Sequence, residues 1–327
     1  MRAVIGRELG PVDNYELVET EIPQPRAHEV QIAVRVAGMG YVDALISRGL
    51  YQVKPQLPYC PGLEMAGTVS AVGSDVTTAK VGDRVCASAF GGALADYAVV
   101  PETALNLLPR QLDFRAAAGF VGNYLTAWHG LLDRGELKAG ETVLVLGAAG
   151  GVGSAAIQVA RLAGARVVAG ASTKEKRDYA LTLGAHDTID YSKDDWRAEL
   201  RKVTAGKGVD VVFDPVAGSV LETAFRSLAW RGRHLVVGFA GGDIPSLPVN
   251  LPLMKGSALI GVDSRQFFEF EQPAAQDVRG RLFAAVARGD LVPAIGATFS
   301  FEKFRDAMAL AAGRDGLGKT IVVVSEG

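Results

Sequence analysis

The densest chemical signal in the chain is Gly147-Ala148-Ala149-Gly150-Gly151-Val152-Gly153. Thr142 to Leu146, just before it, has the β-branched and apolar content of a buried strand, and Val152 to Leu162 has the periodicity of a helix. Glycine lets the chain turn tightly here and lets backbone N–H groups approach an anion, where the positive end of the helix dipole adds attraction. Ala148 takes the first place of a G-x-G-x-x-G frame, and Gly150 and Gly153 take the other two. The chemistry is that of a dinucleotide pyrophosphate site in which Ala149, Gly150, Gly151, Val152 and Gly153 offer backbone contacts. A strand-to-helix turn needs glycine for steric reasons alone, so the frame gains its meaning from the elements on either side.

The end of the next strand, Arg166 to Gly170, selects the cofactor. An acid there bonds the ribose 2′-hydroxyl of NAD and repels the 2′-phosphate of NADP. Val167-Val168-Ala169-Gly170-Ala171-Ser172 has none, and Ser172, Lys174, Lys176 and Arg177 supply a hydroxyl and three cations. The alternative is a solvated basic turn that Glu175 and Asp178 partly neutralise. The composition of the turn predicts NADPH, with Ser172 and Lys176 as contacts to the extra phosphate.

These residues need a scaffold, and the rest of the chain supplies its pattern. After Thr142 to Leu146 and Arg166 to Gly170, strands are predicted at Thr188 to Asp190, Val209 to Phe213, His234 to Val237 and Ala258 to Val262. Helices fall between most of them, at Val152 to Leu162, Lys174 to Leu183, Trp196 to Thr204 and Val220 to Leu228. Six strands alternating with helices imply a Rossmann-type, doubly wound parallel sheet. The first third differs: Glu29 to Ala37 alternates through Val30, Ile32, Val34 and Val36, and short apolar pieces sit beside Gly-Ser and Gly-Asp turns, the texture of a compact β unit. From Phe114 the chain becomes helical, at Arg115 to Ala118 and Thr126 to Arg134. The last sixty residues hold amphipathic stretches at Asp277 to Ala287 and Phe301 to Ala312, then a strand at Lys319 to Val324.

Composition bounds the possibilities. The 327 residues suit about two domains of ~150 residues each. Lys plus Arg number 34 against 36 Asp plus Glu, so there is no excess of positive charge and nucleic acid is not an expected partner. Gly is 39 of 327 without a three-residue period, which excludes collagen and leaves turns to explain it. Cys60 and Cys86 are too few for a disulfide framework or a four-thiolate zinc lobe and fit a reducing, cytoplasmic location. Met1 to Gly10 has no apolar core of a signal peptide. Val143 to Ala160 lacks charge over the length of a membrane span, but its four central glycines favour strand, turn and helix start, so no membrane association is expected.

The chain resembles the zinc-independent quinone oxidoreductase branch of the medium-chain dehydrogenase/reductase superfamily, the zeta-crystallin type. The likeness spans the chain. It rests on Gly62-Leu63-Glu64-Met65-Ala66-Gly67, Val81-Gly82-Asp83-Arg84-Val85, Gly91-Gly92-Ala93-Leu94-Ala95-Asp96-Tyr97, Leu125-Thr126-Ala127-Trp128, the Gly150-Gly151-Val152-Gly153 turn and Gly238-Phe239-Ala240-Gly241-Gly242. The resemblance implies an α/β chain with a GroES-like β domain (1–121 and 264–327) and a Rossmann NADPH-binding domain (122–263), the active site lying in the cleft between them. It also implies a homodimer formed by pairing sheet edges near Ser257 to Val262.

Within that superfamily, alcohol dehydrogenases hold a zinc ion with a Cys and a His. Here the Cys position, three before Asp43, is Gly40 and the His position, before Glu64, is Leu63, so no metal is expected. His28, His129, His186 and His234 are scattered singly as surface or packing residues. Without a metal, hydride passes to an acceptor electrophilic by itself, a quinone or the β-carbon of an enone or enoyl thioester. Tyr51 resembles the proposed proton donor of related enoyl reductases; an aromatic lid is the alternative. Gly40, where quinone oxidoreductases usually carry Asn, is expected to line the substrate pocket with Tyr41, Leu63 and Tyr124. Asn123 and Thr126 resemble residues beside the nicotinamide, or cap a helix beginning near Thr126. Tyr191 resembles a contact to the adenosine phosphate, Phe239 belongs to a cofactor-binding loop, and Lys319 either reaches the cofactor or starts an edge strand. A protein that binds NADPH with little reductase activity is the rival from a different functional class.

Overall fold

The computed structural model of the chain describes residues 1–326. Its backbone clusters into two compact units, Met1–Gly122 with Pro293–Gly327, and Asn123–Val292. In chain order the first unit begins with β1 (Arg2–Gly6), β2 (Tyr15–Glu19), β3 (Glu29–Met39), β4 (Glu64–Val72), β5 (Arg84–Ser88), β6 (Tyr97–Pro101) and β7 (Leu105–Leu107). The second holds β8 (Thr142–Val145), β9 (Arg166–Gly170), β10 (Asp187–Ile189), β11 (Val209–Asp214), β12 (Leu228–Val236) and β13 (Ala258–Gly261). The chain then returns to the first with β14 (Ile295–Ser300) and β15 (Lys319–Val323).

In the first unit β3 is the hub. It lies between β15 and β4 in the order β14-β15-β3-β4-β5-β7 and also pairs with β6. The alternation in its sequence does the work: Val30, Ile32, Val34 and Val36 are all buried, and the first three pack with Met65, Val69, Val85 and Val100. The sequence places Lys319 at the start of a strand, and it does begin β15. That strand lies inside the sheet, flanked by β14 and β3, so Lys319 is not at an edge.

The second unit is the α/β layer that the alternating elements predict. Its six strands pair in parallel in the order β10-β9-β8-β11-β12-β13. The chain winds outward one way from β8 and the other way from β11, so the two diverge at a topological switch point, where such sheets bind ligands beyond the strand ends. Val143 to Ala160 folds as most of β8, a turn and the helix Gly151–Leu162; no helix among the described residues is long and apolar enough to cross a membrane.

Three details differ from the sequence expectations. β12 starts at Leu228, well before His234, because exposed Trp230 and Arg231, the latter at φ 62°, break the apolar pattern of its first half. The helix expected at Thr126 begins at Val121 and continues as a π-helical turn, His129–Arg134, with Gly130 close enough to β11 that a Cβ would lie 2.9 Å from the Phe213 ring. Finally, the return to the first unit falls at Pro293 and not at 264. Ser264–Phe270 and Gln272–Arg288 belong to the second unit, where Phe267 stacks on His129 at 4.0 Å and Thr126 Oγ1 donates to Ser264 Oγ at 3.0 Å.

Gly153 sets the approach of the first helix to β8: a Cβ there would lie 2.2 Å from Gly147 O and 2.8 Å from Ala148 Cα, both backbone atoms that cannot give way. Gly153→Ala is therefore expected to lower stability by about 2–3 kcal/mol through overpacking, read as a fall in the denaturant midpoint, whereas an unchanged midpoint would show that the turn relaxes freely.

Candidate functional site

The glycine turn sits at the end of β8, at the switch point. Gly147 turns at φ 57°, Gly150 precedes the helix Gly151–Leu162 in extended conformation, and no side chain caps that helix. Its first N–H groups have no partner within the helix itself. The glycines are not equivalent. A Cβ on Gly153 would strike backbone, and one on Gly151 would lie 2.7 Å from Asn123 Nδ2. A Cβ on Gly150 would meet only Gly147 O, at 3.5 Å, and Gly150 has an ordinary φ of −77°, so nothing in the protein demands glycine there. The space over the helix N-terminus is what an approaching pyrophosphate needs, and the turn fits that group. The same geometry brings Asn123 to the turn. Asn123 and Thr126 lie inside the helix Val121–Trp128 and are not its caps.

At the end of β9 the carboxylate-free stretch is as the sequence has it, but the cations divide. Lys174 pairs with Asp178 at 2.6 Å, and Arg177 is held by Asp190 at 3.0 Å and by Ala171 O. Burial pushes the Asp190 carboxyl up, but hydrogen bonds from Ser192 and the charge of Arg177 outweigh it and hold Asp190 below the usual carboxylate range. Two of the three cations expected near a 2′-phosphate are thus tied to carboxylates of their own unit. Ser172 and Lys176 are half-buried, and the Tyr191 ring packs so closely over Gly170 that a Cβ there would lie 3.1 Å from it. Phe239 is partly exposed in the loop after β12.

The first unit contains a group that motif reading did not single out as functional. Asp43, 2% exposed, accepts N–H groups from Gly40 and Leu63, each at 2.7 Å, with one carboxylate oxygen apiece. Those are the two positions where the resemblance sets metal ligands. Lys319, also buried, forms an ion pair with Glu64, whose other oxygen accepts Gly122 N–H at 2.9 Å. Burial alone would push the Lys319 ammonium down, but Glu64 and Asp43 raise it above its usual range. For Asp43 burial wins: the carboxyl is pushed up to about 6 against the attraction of Lys319 and both N–H donors. The signal was present in the spacing, since Asp43 follows Gly40 by three residues and Glu64 follows Leu63 directly.

Lys319 is therefore paired with a carboxylate of its own unit. Tyr124, expected to line the substrate pocket, is 1% exposed and donates its hydroxyl to Val292 O at 2.9 Å. Of the remaining lining candidates, Tyr41 is partly exposed at the start of the helix Tyr41–Ser47 and Leu63 is half-buried. Gly40 is extended, at φ −143° and ψ −179°, and a Cβ there would find nothing nearer than Lys319 Nζ at 3.4 Å. Tyr51 is half-buried against the core of the first unit. Burial pushes the Cys60 thiol up to about 12, so it is no nucleophile at neutral pH. Among the described residues no group of three or more His, Cys, Asp or Glu is placed to hold a metal ion. His28 is exposed and His186 bonds the Val167 N–H, while His129 and His234 are buried.

Comparison with known proteins finds a family model for a segment of each unit. Residues 26–110 match the model of the alcohol dehydrogenase GroES-like domain, and residues 151–278 match that of the zinc-binding dehydrogenases. The chain is similar to the quinone oxidoreductase of Homo sapiens, 35% identical over 99% of this chain and 98% of the other. It is equally similar, at 35% over 98% of this chain and 88% of the other, to a quinone oxidoreductase-like protein 2 homolog of Nematostella vectensis. Among solved structures, the Pseudomonas syringae quinone oxidoreductase aligns with a TM-score of 0.90 at 31% identity, covering 99% of both chains. The Escherichia coli quinone oxidoreductase complexed with NADPH aligns with a TM-score of 0.90 at 26% identity, over 99% of this chain and 100% of the other.

The buried Asp43 makes a pH prediction. Its proton is held more tightly in the folded chain than in the unfolded one, so ionising it between about pH 4 and 6 costs stability, on the order of 3 kcal/mol for a shift of this size. Urea unfolding of the wild type and Asp43→Asn, compared at pH 4 and pH 7, should show the wild type's advantage shrinking as pH rises. A constant difference would mean that Asp43 ionises as easily in the folded chain as in solution.

Proposed function

The chain belongs to the quinone oxidoreductase family of medium-chain dehydrogenases/reductases, and from that membership we propose an NADPH-dependent, zinc-independent reductase of quinones or α,β-unsaturated carbonyl compounds. The observation that carries the proposal is the open cradle at Gly150 followed by a β9 end that offers a hydroxyl and a lysine where an NAD-specific site has an acid. The E. coli relative complexed with NADPH supports the same cofactor.

NADPH, when bound, supplies the hydride. The chain's residues do the rest. The N–H groups from Ala149 to Gly153 hold the pyrophosphate, Ser172, Lys176 and Tyr191 take the adenosine phosphate, and Asn123, Thr126 and Phe239 border the nicotinamide. Gly40 has no side chain and Leu63 an aliphatic one, so the positions that would hold zinc carry no donor atom, and the acceptor must be electrophilic without a Lewis acid. Gly40, Tyr41 and Leu63 shape the acceptor site. Reduction of an alkene also needs a proton, which the Tyr51 hydroxyl delivers directly or through a water it orients. An enoyl thioester is the neighbouring possibility, favoured by the likeness to the CurK enoyl reductase at a TM-score of 0.88 and 26% identity. The proposal extends to a cytoplasmic homodimer built on β13, the last strand of its sheet, where Leu259 is exposed.

Two substitutions test this. Lys176→Ala should weaken NADPH at least tenfold more than NADH in calorimetric titrations, and equal losses would reduce the basic turn to surface. Tyr51→Phe should lower enone turnover tenfold or more with quinone turnover unchanged, since a quinone has no carbon to protonate; no change in either removes Tyr51 from the mechanism. If NADPH binds at micromolar concentration but no quinone, enone or enoyl thioester oxidises it above background, the chain is a nucleotide-binding protein and not a reductase.

A further inference from the structure

The parallel-sheet unit holds a carboxylate and an imidazole paired in its interior. Asp214, the last residue of β11, and His234, on the neighbouring β12, are both fully buried, with Asp214 Oδ2 2.9 Å from His234 Nε2. The other oxygen, Oδ1, accepts the N–H groups of Val216 at 2.8 Å and Ala217 at 2.7 Å. His234 Nδ1 has no hydrogen-bond partner. Nε2 therefore carries a proton and donates it to the carboxylate.

The segment that this carboxylate holds is strained. Ala217 sits at φ 51° and ψ −126°, a region that glycine occupies without penalty and alanine does not. The strained turn touches the cofactor cradle from one side: a Cβ on Gly147 would lie 3.0 Å from Val216 Cγ2. On the other side it carries the loop of Phe239. Pro215 O accepts the N–H of Ala240 at 3.1 Å and Val216 O that of Gly241 at 2.6 Å. A peptide in the wrong place at Val216 or Ala217 thus displaces both the first glycine of the turn and the Gly238 to Gly242 loop.

We propose that the His234–Asp214 pair is a positioning device for nucleotide binding: it holds Ala217 in its left-handed conformation and so sets the distance between the Gly147 turn and the Phe239 loop. This rests on the NADPH-binding function proposed above. His234 touches neither cofactor nor substrate. It orients the carboxylate, the carboxylate fixes two peptide N–H groups, and those fix the loop.

The test is His234→Leu alone and combined with Ala217→Gly, with NADPH affinity read by calorimetry and folding by circular dichroism and thermal melting. His234→Leu should bind NADPH at least tenfold more weakly, raising KM for NADPH while kcat at saturation stays within twofold. Ala217→Gly should restore affinity to within threefold in the double variant, because glycine needs no pinning at that φ. A folded His234→Leu that binds NADPH as the wild type does, or a loss that Ala217→Gly leaves in place, overturns the proposal. Should His234→Leu fail to fold, Ala217→Val leaves the pair intact and burdens the same backbone position. A tenfold loss of affinity there supports the proposal, and wild-type affinity overturns it. A wild-type chain that binds no NADPH overturns the parent function and this inference with it, whereas wild-type binding with indifferent variants overturns only the inference.

Discussion

A buried carboxylate bonded to backbone N–H groups is the interaction on which both units depend. Asp43 joins Gly40 to Leu63, Glu64 takes Gly122, and Asp214 takes Val216 and Ala217. Loops at the ends of strands cannot satisfy their amides by pairing with a neighbouring strand, and a buried amide without a partner costs free energy comparable to a lost hydrogen bond. An ionised side chain makes the stronger bond and fixes two peptide planes at once. The expense lies in burying the charge, which is why each carboxylate has a cation or an imidazole beside it: Lys319 for Glu64 and Asp43, His234 for Asp214.

The two units use this device for different ends. In the first it joins two segments distant in sequence, a helix start and a strand start. In the second it stabilises a turn that alanine alone would leave. The parallel sheet then needs only its winding order to bring that turn beside the glycine cradle, since β8 and β11 are neighbours and both end at the switch point.

Most strands of the parallel sheet were legible because they are short apolar runs bounded by turn residues. The start of β12 was not, since Trp230 and Arg231 interrupt the apolar pattern at exposed positions within the strand. The glycine cradle was legible as a motif, but which glycine leaves room for a ligand required the backbone: Gly150 and Gly153 look alike in sequence, and only one faces open space. Charged residues were the least legible. Lys319 reads as a cofactor contact or the start of an edge strand and Tyr124 as a lining residue; in the fold each is buried with a partner distant in sequence, Glu64 and Val292. Periodicity predicts which side chains are apolar and inward; it says nothing about which charges will be paired in the interior.

Gly40 leaves the scaffold indifferent to the side chain that stands there. Its backbone is extended, in a conformation open to every amino acid, and its nearest neighbours stand at ordinary van der Waals distance. Replacement there meets no steric toll in the scaffold, while Asp43 keeps the peptide anchored whatever side chain follows. The sequence can drift at this position without the fold being asked to adapt.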